Sequence, residues 1–397
     1  MSTDSDHTHA QFVRPAVSRR SDVAPFIAMD VLRDARTLEA SGRRILHLEV
    51  GQPGAPTPAG VRAAAERALA GGAIGYTEAL GTAELRRRIA RHYGDTYGVE
   101  VDPACVVVTT GSSAGFVLAF LACFDPGDRV ALARPGYPAY RNIQQALDLG
   151  VVWLQTDATS RWAPPPDLLG QAAAARRLHG ILVASPANPS GTVIAPGALR
   201  DLIAAASDLA MWFISDEIYH GLTYGPEADT ALRHDGDAVV INSFSKYYCM
   251  TGWRIGWMVV PERLVRPIER LAQNLYISPP ALSQAAALAG FECTEELETN
   301  KAVYARNREL LMSALPRLGF DRVLPMDGAF YAYVDVADFT NDSSEFAARM
   351  LHEAGVAATP GLDFDADQGR RYLRLSFAGP TADIEEAVGR LDGWLRR

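Results

Sequence analysis

Val106-Val107-Val108-Thr109-Thr110-Gly111-Ser112-Ser113-Ala114-Gly115-Phe116 runs from an unbroken β-branched stretch, through a small polar turn, into a second apolar stretch. Such a run suits a strand covered on both faces, because a half-exposed strand would alternate apolar and polar residues. The glycine and serines suit a tight turn, and Ser113 to Cys123 reads as a buried helix with Ser113 as candidate cap. The pattern recurs. Arg129 to Leu132, Val151 to Leu154, Gly180 to Val183, Trp212 to Ser215, Val239 to Asn242 and Gly256 to Val260 are further strand candidates. Alternation of strand and helix from about residue 80 to 290 predicts an α/β unit with a mainly parallel sheet.

On the N-terminal side, Ala28 to Ala40 reads as a helix ended by Ser41-Gly42, and Ile45 to Val50 as a short strand stopped by Gly51-Gln52-Pro53-Gly54. Pro58 to Ala70 reads as a helix with Thr57 as N-cap and Gly71-Gly72 as its end. Beyond residue 290 the pattern changes to a long helix over Glu295 to Leu315, strands at Ala329 to Val334 and Tyr372 to Ser376, and helices over Ser344 to Ala354 and Ala382 to Trp394. The expected organisation is a loose arm over 1–22, a segment over 23–60 that joins a smaller unit, a large domain over 61–289 and a small α+β domain over 290–397.

The composition excludes several classes. With 48% hydrophobic residues among 397, the chain can bury large cores and is not globally disordered. A net charge of −9 disfavours unspecific binding to nucleic acid or an anionic membrane. The longest apolar run, Gly115 to Phe124, is about half a membrane span. The first 22 residues lack the apolar core of a secretory signal, and Cys105, Cys123, Cys249 and Cys293 form no C-x-x-C pair, so a cytoplasmic protein with reduced thiols and no zinc site is expected. His7 and His9 read as solvated polar residues. Of the 38 basic residues only Lys246 and Lys301 are lysines. Lysine can serve as an amine nucleophile and arginine cannot, which directs attention to those two positions.

Lys246 closes Asn242-Ser243-Phe244-Ser245-Lys246, just past a candidate strand, with Arg254 in Thr251-Gly252-Trp253-Arg254-Ile255-Gly256 eight residues on. Ligands of open α/β sheets sit at the carboxyl ends of strands. There an amine could join a carbonyl, and Ser243 with Arg254 could hold an anion. The plain alternative is a surface lysine near an ion-paired arginine. The Thr109-to-Phe116 turn leaves backbone N–H groups free for an anion, or is an ordinary capped helix. Ser215-Asp216-Glu217-Ile218-Tyr219 places a carboxylate and a phenol at a strand end, or an N-cap and packing residues. Ser185-Pro186-Ala187-Asn188-Pro189-Ser190-Gly191 fixes Asn188 in a rigid turn, and Arg134-Pro135-Gly136-Tyr137-Pro138 presents a ring, or packs it. Singly these are weak. Together they supply a Schiff-base lysine, a carboxylate for a ring nitrogen, partners for a ring oxygen, a stacking ring and a phosphate cradle, the inventory that pyridoxal phosphate needs.

The motifs S-x-S-K-x(7)-R, N-P-x-G and S-D-E-x-Y closely resemble those of the class I and II aminotransferases, the fold-type I pyridoxal-phosphate enzymes, from about residue 23 to the C-terminus. The resemblance implies a fold-type I α/β architecture with pyridoxal 5'-phosphate as cofactor. It makes Lys246 the Schiff-base lysine and Asp216 the partner of the pyridine nitrogen, with Tyr219 and Asn188 on the ring oxygen. Tyr137 becomes the stacking ring, Ser112, Ser113 and Ala114 the phosphate loop, and Ser243 and Arg254 its side-chain anchors. Tyr76 would reach the phosphate across a homodimer interface. Arg374, in Leu373-Arg374-Leu375-Ser376, would clamp the substrate carboxylate near the backbone of Gly51. The implied activity is ping-pong transfer of an amino group from an L-amino acid to a 2-oxo acid. Some members carry a lysine at the position of Ser113, and its absence points to a neutral aliphatic donor with alanine or pyruvate as partner. Phe26, Ile27 and Ser278-Pro279-Pro280 are candidates for an apolar pocket. The alternatives are an aspartate aminotransferase using 2-oxoglutarate and a C–S β-lyase of the same fold.

Overall fold

The computed structural model describes residues 16–72, 74–225 and 227–396. His7 and His9 lie outside them. The chain forms α1 (Ile27–Ala40), β1 (Leu46–His47), α2 (Ala59–Ala70), α3 (Ala83–Tyr97), β2 (Val106–Thr109), α4 (Gly111–Cys123), β3 (Arg129–Arg134), α5 (Pro138–Ala146), β4 (Gly150–Gln155), α6 (Pro166–Ala175), β5 (Gly180–Ala184), α7 (Pro196–Asp208), β6 (Trp212–Asp216), β7 (Val239–Ser243) and β8 (Gly256–Val259). There follow α8 (Glu262–Leu275), α9 (Ala281–Gly290), α10 (Thr294–Arg317), β9 (Tyr331–Asp335), α11 (Ser343–Arg349), β10 (Val356–Ala357), β11 (Thr359–Pro360), β12 (Tyr372–Ser376) and α12 (Thr381–Leu395).

Seven strands form one sheet in the order β2-β8-β7-β6-β5-β3-β4. Its pairs are parallel except those of β8, which runs against both β2 and β7. The apolar runs are continuous because successive residues feed opposite cores. Ile181 and Val183 face one core and Leu182 the other, as Val240 and Ile241 divide between the same two. Each such side chain contributes about 1.5–3 kcal/mol on leaving water. Gly115 lets α4 lie close on the sheet, where a Cβ would come within 3.1 Å of the Ile241 side chain. The parallel strands β2, β3, β5, β6 and β7 therefore end on one edge, at Thr109, Arg134, Ala184, Asp216 and Ser243.

Across from that edge stands a three-stranded antiparallel sheet, β11-β12-β9, and a parallel pair, β1-β10. Leu46 and Leu48 from the N-terminal segment enter a core shared with Val356, Leu373, Leu375 and the helices α10 and α12.

Several local expectations change. Thr57 does not cap α2, whose N-cap is Pro58. Its hydroxyl instead donates to the Cys249 carbonyl and accepts the Trp253 indole N–H, while Glu296 accepts the Ala59 N–H. Ser113 does not cap α4, which has already begun at Gly111. The strand expected from Ile45 narrows to Leu46–His47 in ladder pairing, because the Leu48 carbonyl turns to accept the Ser376 N–H instead. The arm is not loose to residue 22. Ser18 caps a turn at Arg19–Ser21, and Gln145 of α5 holds the Asp22 carbonyl.

Candidate active site

The sheet edge and the facing β9–β12 unit enclose a cavity of about 200 Å³. Lys246 enters it from the turn after β7. The Ser243 hydroxyl organises that turn, accepting the Ser245 N–H and donating to the Ile255 carbonyl at 3.0 Å. Ser243, expected as an anion anchor, is therefore occupied within the turn and does not line the cavity, whereas Ser245 and Thr251 do. The Lys246 ammonium donates to the Gly51 carbonyl. Burial lowers its pKa to about 7, with Arg374 and Arg254 pushing the same way and Asp216 opposing.

Asp216, at the end of β6, accepts the Tyr140 hydroxyl on one oxygen and the Ile218 N–H, at 3.1 Å, on the other. Burial pushes its pKa up to about 6, and those two donors hold it from rising further. Tyr219 lies one helical-turn spacing beyond Asp216, and its hydroxyl is 2.7 Å from that of Tyr331. Tyr137 lines the cavity with Phe26 and Tyr140 packed edge-on against its ring.

The α4 N-terminus presents free backbone N–H groups, with Ser112 and Ser113 on the cavity wall. Gly111 has φ +76°, and a Cβ there would lie 2.9 Å from the Arg254 guanidinium carbon. Gly256 likewise has no room for a side chain, 3.0 Å from the Ser112 nitrogen. Backbone and guanidinium thus close on one small volume, a cradle for an anion. Ala114, further into the same helix, is not on the cavity wall.

Arg374, on β12, is 2% exposed. One terminal nitrogen donates to Asn188 Oδ1 at 3.0 Å, and the other to the Glu49 carbonyl at 2.5 Å and Thr359 Oγ1 at 3.3 Å. Its Nε has no hydrogen-bond partner among the described residues. The guanidinium lies 4.4 Å from the Tyr331 ring centre and 4.8 Å from that of Phe364. Asn188 thus meets Arg374 as well as the cavity. Of the apolar candidates, Phe26 lines the cavity, while Ile27 and Ser278-Pro279-Pro280 do not; the Pro279 carbonyl is held by Gln284 of α9. Tyr76 is 83% exposed and stands apart from the cavity of its own chain.

Tyr140 and Tyr331 are functional neighbours that motif reading missed. Tyr140 follows Tyr137 by three residues at the start of a helix, which puts both on one face, so its position carried a signal. Tyr331 carried none, because its partners are distant in sequence.

Comparison with known proteins places this geometry. The profile of the family "Aminotransferase class I and II" matches residues 43–391. The valine–pyruvate aminotransferase of Mycobacterium tuberculosis is 49% identical over 383 residues, 96% of this chain and 98% of that protein. A (5-formylfuran-3-yl)methyl phosphate transaminase of Methanocaldococcus jannaschii is 34% identical, over 94% and 97% of the two chains. The crystal structure of an aminotransferase from Mycobacterium tuberculosis superposes with a TM-score of 0.93 at 48% identity, covering 96% of this chain and all of that one. The chain belongs to the class I and II aminotransferases and is a pyridoxal-phosphate-dependent transaminase.

Proposed function

We propose that the enzyme moves the amino group of a neutral aliphatic L-amino acid to a 2-oxo acid of the pyruvate type. The observation that carries the donor class is the set of cations on the cavity wall. Among the described residues these are Lys246, Arg254 and Arg374, and each has a role that leaves none for a side-chain carboxylate. Phe26, Met29, Val50 and Ile218 supply apolar wall instead. The valine–pyruvate activity named for the relative from Mycobacterium tuberculosis agrees with this reading.

The residues present fit the cofactor. Gly111 and Gly256 clear the space of a phosphate between the α4 N-terminus and Arg254, and the buried Asp216 carboxylate faces the same cavity as the Lys246 amine. Ser112, Ser113, the Ala114 backbone and Arg254 would hold the phosphate, Tyr137 the ring face, Asp216 the ring nitrogen, and Tyr219 with Asn188 the ring oxygen. When bound, pyridoxal phosphate supplies the electron sink that takes up charge developing at the substrate Cα. Arg374 and the Gly51 backbone orient the substrate carboxylate, and the guanidinium fork fixes its direction as well as its charge. Lys246, with a pKa near neutrality, takes the proton from Cα and returns it on the reverse half-reaction. Burial of the amine against rings and guanidinium groups keeps water from that proton.

Tyr76, exposed in this chain beside the exposed Ile74, supports a homodimer in which it completes the partner's phosphate site. Four free cysteines support a cytoplasmic location.

A donor screen tests the reading. Valine with pyruvate should exceed aspartate with 2-oxoglutarate by at least about tenfold in kcat/KM, since a buried carboxylate without a cation forfeits more than about 1.4 kcal/mol. The opposite order would sink the neutral-donor assignment and point to a cation supplied by the partner subunit.

A further inference from the structure

Leu46-His47-Leu48-Glu49 alternates, and the structure uses both faces of the alternation. Leu46 and Leu48 enter the core, while His47 and Glu49 share the opposite side. Glu49 has no exposed surface. Its Oε1 lies 2.7 Å from His47 Nδ1, and its Oε2 has no hydrogen-bond partner among the described residues. The other ring nitrogen of His47 lies 3.1 Å from Glu39 Oε1, in the last turn of α1. An imidazolium donates from both ring nitrogens, which suits a ring set between two carboxylates. The bond to Glu49 chiefly raises the His47 pKa, to about 9, against burial, which lowers it.

The backbone of this segment reaches the active site. The Glu49 carbonyl accepts from Arg374 and from Thr359 Oγ1, the latter at 2.9 Å, and the Gly51 carbonyl accepts from Lys246. Gly51 is pressed against Tyr331 so closely that no side chain fits. A shift of this strand would therefore move the oxygens that seat both cations. At its other end α1 contributes Phe26, Ala28 and Met29 to the cavity mouth, Phe26 as the cap residue.

We propose that Glu39, His47 and Glu49 form a charge clasp that fixes the 46–51 strand against α1, so that His47 is a positioning residue for the guanidinium of Arg374. A buried carboxylate without its cation must protonate, admit water or move, and any of these disturbs the strand that carries it. Arg43, just ahead of the strand, donates to the His352 carbonyl. From α12, Asp383 and Glu386 pair with Arg44 at 2.9 and 2.8 Å, and Arg390 donates to the Arg44 carbonyl. The β10 partner residues are Val356 and Ala357, which carry no charge. The sign of the pH effect follows. The folded pKa lies above the ordinary 6.5, so the clasp is fully present below about pH 6.5 and is lost as pH rises through about 9.

The inference rests on Arg374 as the carboxylate site, and the experiment separates the two. In the holoenzyme, the KM for the 2-oxo acid is followed from pH 7 to 10 in the wild type, His47→Gln, Glu39→Gln, the double variant His47→Gln/Glu49→Gln, and Arg374→Lys. That substrate has no group titrating in this range. His47→Gln should raise KM about tenfold at pH 7.5 with kcat within about twofold, Glu39→Gln about twofold, and the double variant should recover most of the loss because no charge is stranded. The wild-type KM should climb above pH 9 and the His47→Gln value should not. In ¹⁵N-histidine-labelled holoenzyme, the resonance absent from His47→Gln should titrate near pH 9. A folded His47→Gln enzyme with unchanged KM, or a His47 resonance titrating near 6.5, overturns the clasp. If His47→Gln does not fold, Glu39→Gln and the double variant decide by the same readouts. Should Arg374→Lys leave KM unchanged, the carboxylate assignment fails instead.

Discussion

On the sheet side of the cavity, Asp216, Gly111 with Ser112, and Lys246 each sit within three residues of the end of their own strand. On the facing side, Arg374 is held by Asn188, Glu49 and Thr359, which lie 186, 325 and 15 positions away in sequence. The first arrangement is a row of local turns on a common edge, each placed by its own strand. The second is a clasp in which three segments must meet before the guanidinium has all its partners. Damage should therefore stay separate on the sheet side, where each variant disturbs one quantity, and converge on the facing side, where different variants disturb the same one.

The largest effect tests the sheet side. Lys246→Ala removes the group that carries the Cα proton, and kcat should fall by about 10²–10⁴, the span assigned to positioned proton transfer. The cofactor should remain bound, since its phosphate cradle and Asp216 are untouched; single-turnover absorbance with equilibrium dialysis reads both. Turnover within tenfold of wild type would remove Lys246 from the chemistry. Next in size is Arg374→Lys. Lysine keeps the charge but loses the fork that meets a carboxylate and three protein oxygens together. KM for donor and acceptor should rise together by about 10–100-fold, or about 1.4–2.7 kcal/mol. A rise for only one substrate would mean that the two carboxylates use different sites.

A smaller effect is expected from Gly111→Ala. The residue has φ +76°, where a non-glycine side chain costs about 1–2 kcal/mol, and its Cβ would displace the Arg254 guanidinium. Cofactor affinity, measured by fluorescence titration, should fall about tenfold while the KM of the 2-oxo acid at saturating cofactor stays within twofold. If KM moves as far as cofactor affinity, the two sides of the cavity are not separable.

The same contrast explains what could be read beforehand. Strands β2 to β8 are legible because burial on both faces demands continuous apolar runs, and a functional residue placed just after such a run inherits its position. Arg374 is visible only through the family likeness of Leu373-Arg374-Leu375-Ser376. Nothing near it in sequence points to Glu49 or Thr359, since β11 and β12 meet through tertiary pairing. Thr57 misled for a related reason. It stands where a cap would stand, but the approach of Cys249 and Trp253 offers its hydroxyl better partners. Ser243 and Ser245 also show the limit of a motif. Both belong to S-x-S-K, yet the turn after β7 directs the Ser243 hydroxyl onto the Ile255 carbonyl and leaves Ser245 on the cavity wall.

The smallest effect should come from Tyr140, whose hydroxyl acts on the sheet side through Asp216. Its hydroxyl donates to the carboxylate, and a hydrogen bond to the charged form lowers a carboxyl pKa. Tyr140→Phe removes that donor and keeps the ring that packs on Phe116 and Tyr137. The Asp216 pKa, already pushed up to about 6 by burial, should then rise further. Asp216 is depressed relative to that burial-only state by its donors, so their contribution is present above the pKa and lost as pH falls through it. The acid limb of kcat/KM should accordingly move up by about one pH unit, the equivalent of one hydrogen bond of roughly 1.4 kcal/mol. The KM plateau for the 2-oxo acid at pH 8 should not change, because Arg374 and the 46–51 strand make no use of Tyr140. An acid limb that stays in place would reduce Tyr140 to a packing residue. A limb that moves together with a raised plateau would show that Asp216 and Arg374 are coupled through the floor of the cavity.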